Sequence, residues 1–208
     1  MCSGLERCMY CEDAPADEVE HVFPKDLYPA TVFVWANFLF ACGRCNGGKN
    51  ARVRVFHPRG GPSAVDVTRA PGSPVVPPLD GDPLLLDPRR EDPLDFLWLD
   101  FSTFFFAPAA GGSSRDQQRA AYTIDVLGLN RRSVLVRARG GAFGHFRDHL
   151  RCYVQERDAD PTAAALPQRA SRVREMSHAT VWAEMKRQRA MHPELARLFA
   201  AAPEALAW

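Results

Sequence analysis

The sequence predicts an α+β protein in which a small cysteine-bearing β unit precedes a mainly α-helical C-terminal half. Two observations support this fold class. Two Cys-x-x-Cys pairs enclose β-branched and aromatic segments near the N-terminus, and apolar residues recur at helical spacing from Arg115 onward. With 208 residues, of which 46% are hydrophobic and 25% charged, the chain fits one ordinary domain or a small domain with an elaborated second half.

Composition and charge limit the classes of protein to which this chain can belong. No segment approaches the roughly 18 apolar residues that span a bilayer, and Met1–Glu6 lacks the basic and apolar regions of a signal peptide. We therefore expect a cytoplasmic protein without a membrane partner. Residues 1–50 hold 4 basic and 7 acidic side chains, a net charge of −3, whereas residues 131–200 hold 14 basic and 7 acidic, a net charge of +7. The basic half suits contact with DNA or a partner protein, or a solvated helical surface.

Four of the six cysteines form the two Cys-x-x-Cys pairs: Cys8 with Cys11, and Cys42 with Cys45. In a chain without a secretion signal this pattern predicts a structural zinc site, because each pair directs two thiolates at one ion. Four thiolates fill the zinc coordination shell, so the ion would stabilise the fold and would not activate water. We expect Cys2 and Cys152 to take no part in the site.

Three local elements are predicted between and after the pairs. Val19–Phe23 alternates apolar and polar residues and suits a short strand that Pro24 ends. Thr31–Phe40 is β-branched and aromatic, which predicts extended chain. Cys42–Asn50 predicts a turn that runs into a short helix weakened by glycine. Arg44 and Lys49 lie in this last segment and are expected to contact phosphate or to lie on a solvated surface.

These residues together follow one motif: Cys-x-x-Cys, then Glu-His-x-x-Pro-Lys, then Asn-x-x-x-x-Cys-x-x-Cys-Asn-x-x-Lys. The motif resembles that of the zinc-bearing HNH endonucleases. The resemblance implies a ββα-metal fold, in which a two-stranded hairpin and one helix surround a catalytic divalent ion. By position, His21 matches the general base. Asn37 matches the central Asn, which orients the turn that carries His21.

The resemblance also implies the ligands of the catalytic ion. Glu20 matches the acidic residue before the histidine, and Asn46 matches the final ligand position. The family often has Asp and His at these two positions, but Glu and Asn both supply an oxygen ligand suited to Mg²⁺ or Mn²⁺. The zinc and the catalytic ion would therefore be separate.

The chemistry of phosphodiester hydrolysis favours the same residues. The reaction needs a deprotonated water and a cation that stabilises the charge developing on the phosphate. A histidine is mostly neutral at pH 7 and can accept the proton of that water. A zinc-dependent module that binds nucleic acid or protein without cutting would explain the cysteines equally well. It would not explain why Glu20, His21, Asn37 and Asn46 all stand at the motif spacing.

The remaining chain divides by composition. Residues 1–56 are expected to form the nuclease core, residues 57–83, rich in proline and glycine, a linker or loop, and residues 84–208 a mixed and then mainly helical accessory region for DNA or partner binding. A strand-like stretch covers Phe96–Phe106. The helices predicted after it are Arg115–Asn130, Arg132–Arg139 and Phe143–Glu156 around a Gly140-Gly141 break, Ser171–Ala190 and Pro193–Ala202.

A second resemblance extends to about residue 140. Leu86-Asp87-Pro88, Glu91-Asp92-Pro93, the Thr123–Arg131 segment and Arg137 are similar to the PtuB-like subgroup of HNH proteins, found in Septu and some retron-linked anti-phage systems. That similarity implies an immune role and a PtuA-like partner ATPase of the SMC/ABC type. We expect the target to be DNA, in double-stranded form. Two alternatives stay open: a non-catalytic binding module, and a nuclease subunit that is active only in an ATPase complex.

Overall fold

The computed structural model describes residues 7–61 and 63–208, so Met1–Glu6 and the predicted bystander Cys2 lie outside the described residues. Within these ranges the chain is mixed α and β, with three small antiparallel sheets of two strands each. The strands are β1 Glu18–His21, β2 Phe38–Ala41, β3 Arg54–Phe56, β4 Ala64–Asp66, β5 Leu97–Asp100 and β6 Phe105–Pro108. The helices are α1 Gly43–Lys49, α2 Ser114–Val126, α3 Ser133–Ala159, α4 Ala165–Glu175, α5 Ala179–Gln188 and α6 Pro193–Ala201.

The N-terminal hairpin pairs β1 with β2, placing Val19 opposite Phe40 and His21 opposite Phe38. Helix α1 follows β2 directly, as the sequence predicts. The prediction of extended chain over 31–40 is correct only from Phe38 onward. Short 3₁₀ turns occupy Pro29–Thr31 and Trp35–Asn37 instead, because the fixed φ of Pro29 suits the start of a helical turn and the buried Asn37 side chain holds the loop compact.

The segment 57–83, predicted as a linker or loop, contributes a strand. β4 pairs with β3 in antiparallel register, Val55 opposite Val65, and Val55 also bridges to Pro83. Gly81 permits this return of the chain, since a Cβ there would lie 2.0 Å from the carbonyl oxygen of Phe56. The segment is therefore folded back onto the strand that precedes it.

The helical half differs from the prediction at two places. α3 runs unbroken for 27 residues through Gly140 and Gly141, so the predicted break is wrong. Gly140 instead makes room for a neighbour, because a Cβ there would lie 3.1 Å from the ring of Phe104. The predicted helix Ser171–Ala190 is two helices, α4 and α5, separated where His178 adopts a φ of +63°.

One hydrophobic core joins both halves of the chain. It includes the four paired cysteines, Leu39 of β2, Leu99 of β5, Phe146 of α3 and Met185 of α5. Where β5 meets α5, the backbone N–H of Leu99 donates to Glu184 Oε1 at 3.0 Å, and Gln188 Nε2 donates to the Leu99 carbonyl at 2.7 Å. In the described parts of the chain, the helices lack the combination of length and apolarity that crossing a membrane requires.

Candidate functional site

The four paired cysteines lie together and are all buried. Cys8 begins a tight turn, which is closed by a hydrogen bond from the Glu12 N–H to the Cys8 carbonyl. Cys42 and Cys45 lie at the start of α1. Their Sγ atoms are all within 4.8 Å of one another, and Cys11 Sγ lies 3.9 Å from Cys42 Sγ. Tetrahedral zinc with Zn–S bonds of about 2.3 Å separates its sulfurs by roughly 3.8 Å. The cluster is therefore compatible with a zinc ion.

The chemistry of the sulfurs also suits a cation. The hydrogen bond with Cys11 raises the pKa of the Cys8 thiol to about 12. Hydrogen bonds from Cys45 and Cys8 place the pKa of Cys11 far below its usual range. Hydrogen bonds with Cys11 and Cys8 raise the pKa of Cys45. Arg132, just before α3, donates from Nη1 to Cys45 Sγ at 3.1 Å, so a positive charge lies against the cluster.

The first cysteine turn packs against the start of α5. Glu12, at a φ of +58°, accepts hydrogen bonds from the backbone N–H of Thr180 at 3.1 Å and from its hydroxyl. A carboxylate at this position is favourable because the N-terminus of a helix carries partial positive charge. Asp13 Oδ1 lies 3.3 Å from Nε2 of the buried His178. The contacts of Glu12 with Thr180 and of Asp13 with His178 therefore hold the cysteine cluster against the helical half.

The structure brings three of the four predicted site residues to one cleft. Glu20 and His21, at the end of β1, and Asn46, in α1, line a polar cleft of about 280 Å³. Lys25 and Asp26, in the loop that leaves β1, line it too. The end of β2 lies beside the start of β1, with Ala41 opposite Glu18, so α1 begins there and runs back along β1, which brings Asn46 and then Lys49 toward Glu20 and His21.

Asn37, the fourth predicted residue, is buried behind the cleft. Its Oδ1 accepts the backbone N–H of Phe23 at 2.7 Å, and its Nδ2 donates to the Phe23 carbonyl at 3.0 Å. The same Nδ2 lies 3.2 Å from the Thr31 carbonyl and 3.1 Å from its hydroxyl. Asn37 thus ties together both ends of the loop that leaves His21.

His21 is held by the same loop. Its Nε2 lies 3.1 Å from the carbonyl oxygen of Val32, and its ring packs edge-on against Phe38 with centroids 5.1 Å apart. A carbonyl oxygen can only accept a hydrogen bond, so Nε2 carries the proton in the neutral ring and Nδ1 is the basic nitrogen.

Lys49 differs most from its expected environment. It is neither solvated nor placed for phosphate contact, since only 1% of it is exposed and its Nζ lies 2.5 Å from Glu20 Oε1. The same Nζ donates to the His21 carbonyl at 2.8 Å. Burial raises the pKa of Glu20 and lowers that of Lys49, and the ion pair opposes both shifts. A clue lies in the sequence, because Asn46 and Lys49 are three residues apart and therefore share one face of α1.

Asn46 has a partner that sequence reasoning missed. Its Nδ2 donates to Glu18 Oε2 at 2.7 Å, which fixes the orientation of the amide. Glu18 and Glu20 alternate with His21 and Val19 along β1, so the two carboxylates share the face against which α1 packs. The missed signal is this spacing of two along a strand, in the sequence Glu-Val-Glu-His.

These features define a mixed α/β protein with a four-cysteine cluster compatible with zinc beside a polar cleft. Comparison with known proteins gives a short similarity. A stretch of 48 residues is 48% identical to the Septu protein PtuB of Bacillus thuringiensis, covering 21% of this chain and 19% of PtuB. The matched stretch spans about a fifth of the length of each protein. No protein-family model matches the chain, and no solved structure matches it significantly.

Proposed function

We propose that the protein is a metal-dependent HNH endonuclease that hydrolyses DNA phosphodiester bonds. The observation that carries the proposal is the convergence of Glu20, His21 and Asn46 on one cleft, with Asn37 fixing the loop behind it. A ββα-metal core would have this arrangement, with β1, β2 and α1 as its elements. The cysteine cluster would hold the structural zinc, which stabilises this small unit.

His21 is the general base in this proposal. Its Nε2 proton is committed to the Val32 carbonyl, so Nδ1 accepts the proton of the attacking water. Asn37 acts as a positioning residue, because it holds the loop from which Val32 contacts the imidazole. The base is thereby kept in one tautomer and one orientation without a carboxylate partner.

Glu20 and Asn46 would hold the catalytic ion, and their oxygens are the hard donors that Mg²⁺ and Mn²⁺ prefer. Such an ion would supply positive charge to the phosphate during hydrolysis. Glu20 already neutralises Lys49, so the carboxylate would be shared between the lysine and the ion. The hydrogen bond from Asn46 Nδ2 to Glu18 leaves its Oδ1 as the atom that would face the ion.

The similarity to PtuB supports an anti-phage role and a PtuA-like ATPase partner. DNA contact through the basic half is the natural extension, because the hairpin unit itself is acidic. Several arginines of the basic half are engaged in ion pairs, such as Arg147 with Asp148 and Arg169 with Glu156. Among the described residues, the exposed arginines of this half without an ion pair are the candidate phosphate contacts: Arg137, Arg172, Arg174, Arg189 and Arg197.

One observation favours a second function, that of a zinc-dependent module that binds without cutting. Glu20 is only 3% exposed and is paired with Lys49, as a purely structural carboxylate would be. In that case the cleft would bind no divalent ion, and His21 would only stabilise the hairpin.

Plasmid cleavage separates the two functions. Wild type, His21→Ala and the control His145→Ala, an exposed histidine on α3, are compared in Mg²⁺, Mn²⁺ and EDTA, each alone and with a co-expressed ATPase partner. We expect cutting by wild type and the control in metal, and a loss of roughly 100-fold or more for His21→Ala. Equal behaviour of all three proteins under every condition would favour the binding module.

A further inference from the structure

Among residues 7–61 and 63–208, the outer face of the β1–β2 hairpin is apolar, largely exposed and continuous with His21. Side chains alternate along a strand, so Val19 and His21 share this face with Phe38 and Phe40, their cross-strand partners. Trp35 extends it, packing edge-on against Phe38 with centroids 6.2 Å apart. We call Val19, Trp35, Phe38 and Phe40 the aromatic face.

Much of the aromatic face is exposed to solvent. Trp35 is 75% exposed, and about half of Val19 and of Phe40 is exposed. Phe33, on the same loop as Trp35, is 93% exposed. The aromatic face lines a groove of about 500 Å³, whose other lining residues are Met9, Leu39, Pro88 and Arg89. Apolar patches of this kind mark a binding surface.

The contacts of His21, the candidate general base, indicate which kind of ligand the aromatic face would bind. His21 is bonded to the Val32 carbonyl and packed against Phe38, so it lies at the edge of the aromatic face. A partner protein that covered the face would also cover the histidine and exclude substrate. A substrate strand that lay on the face would pass the histidine. The position therefore favours the substrate over a protein.

Charge indicates how a nucleic acid would be held there. Residues 1–50 carry a net charge of −3, so this segment as a whole repels phosphates, and binding here would have to come from contacts with the bases. Flat aromatic side chains hold nucleic acid through the faces of bases, which are neutral. Arg89 supports this mode, since its guanidinium lies 5.5 Å from the centre of the Trp35 ring. Only its Nη1 makes hydrogen bonds among the described residues.

We propose that the aromatic face binds unstacked bases of the substrate strand, with Trp35 as the stacking platform. The inference rests on the proposed nuclease function and specifies its substrate as single-stranded or locally opened nucleic acid, because bases in an intact duplex are closed to stacking from outside. Trp35 is a positioning residue for the strand that reaches His21.

Binding of short oligonucleotides that carry 2-aminopurine, a base whose fluorescence is quenched by stacking, tests this directly. The probes are a single strand, a duplex with an internal bubble and the intact duplex, each as DNA and as RNA. Binding is measured in the full-length His21→Ala protein with intact zinc. We expect single strands and bubbles to bind with quenching, and Trp35→Ala to weaken both about 10- to 100-fold and to restore the fluorescence.

Substitutions of different shape separate stacking from simple apolar contact. Trp35→Phe keeps a flat ring and should retain most of the affinity, whereas Trp35→Leu should behave like Trp35→Ala. Phe105→Ala, at a half-exposed aromatic residue of β6, is the matched control and should change nothing. Zinc content and the midpoint of thermal unfolding show whether each variant is folded.

The outcomes for the inference and for the nuclease function are distinguishable. If wild type cuts DNA but Trp35→Ala binds and cuts equally well, the stacking proposal is overturned and the nuclease function stands. The same holds if intact duplex binds best, or if Trp35→Ala cuts normally but loses association with a partner protein. If wild type neither binds nor cuts any of the probes, with or without the ATPase, both proposals fail.

Discussion

At the scale of single residues, the candidate site depends on two buried polar groups behind the cleft. Asn37 makes four hydrogen bonds that close the loop after His21. Lys49 joins α1 to the Glu20 carboxylate and the His21 carbonyl. Buried polar groups are costly unless they are fully paired. The local geometry of the proposed base and its neighbouring carboxylate is therefore fixed by residues that need not touch substrate.

Lys49→Met should destabilise the fold by about 3–5 kcal/mol, because it leaves the buried Glu20 charge without its partner. The double variant Lys49→Met/Glu20→Gln should recover much of that loss, since the carboxylate is then absent as well. Urea unfolding measures the free energies. Lys25→Met, at an exposed lysine of the same cleft, should change stability by less than about 0.5 kcal/mol. A single variant as stable as wild type would contradict the importance of the ion pair.

At the scale of elements, α3 shows how packing decides where a helix ends. Two adjacent glycines predict a break, because glycine is among the weakest helix formers. The helix nevertheless continues, since Gly140 lies beneath the Phe104 ring and the surrounding turns are anchored in the core by Leu135 and Phe146. The cost of the glycine is thus offset by packing between α3 and the β5–β6 hairpin.

The two glycines should respond differently to alanine. Nothing lies within 4 Å of a Cβ placed at Gly141, so Gly141→Ala should stabilise the protein by up to about 1 kcal/mol through helix propensity alone. A Cβ at Gly140 would press on Phe104, and Gly140→Ala should gain less or lose stability. Thermal and urea unfolding of the pair make the comparison. Equal gains in stability at both positions would show that the contact with Phe104 does not require glycine at position 140.

At the scale of the whole molecule, the sequence predicts what is encoded locally. The cysteine pairs, the hairpin and α1 follow from short motifs. The helix predicted from Arg115 begins at Ser114 as α2, where the structure shows a capping box between Ser113 and Asp116. The contacts that fix the site are not local. Arg132 reaches Cys45, and Glu12 caps α5 at Thr180, across separations that no spacing reveals. The burial of Lys49 likewise depends on β1 packing against α1. The roles of Glu20, His21, Asn37 and Asn46 stay predictions.

Because the cysteine cluster belongs to the common core, removal of the proposed zinc should weaken the entire molecule. A strong chelator should lower the unfolding midpoint of the helical signal as well as that of the hairpin, in one cooperative transition. Circular dichroism and hydrogen exchange in α3 and α5 measure this. Addition of zinc should restore the midpoint. A helical half that unfolds at the same temperature with and without chelator would indicate that the two halves are independent.

The contacts between α5 and β5 have a consequence for self-association. A strand at the edge of a sheet offers its free N–H and C=O groups to any other extended chain, which is how many proteins begin to aggregate. At Leu99 both groups are already held by Glu184 and Gln188. The carboxylate and amide of a helix thus occupy the positions that a neighbouring strand would take. At this edge, a hairpin of only two strands is closed to strand addition by a foreign polypeptide.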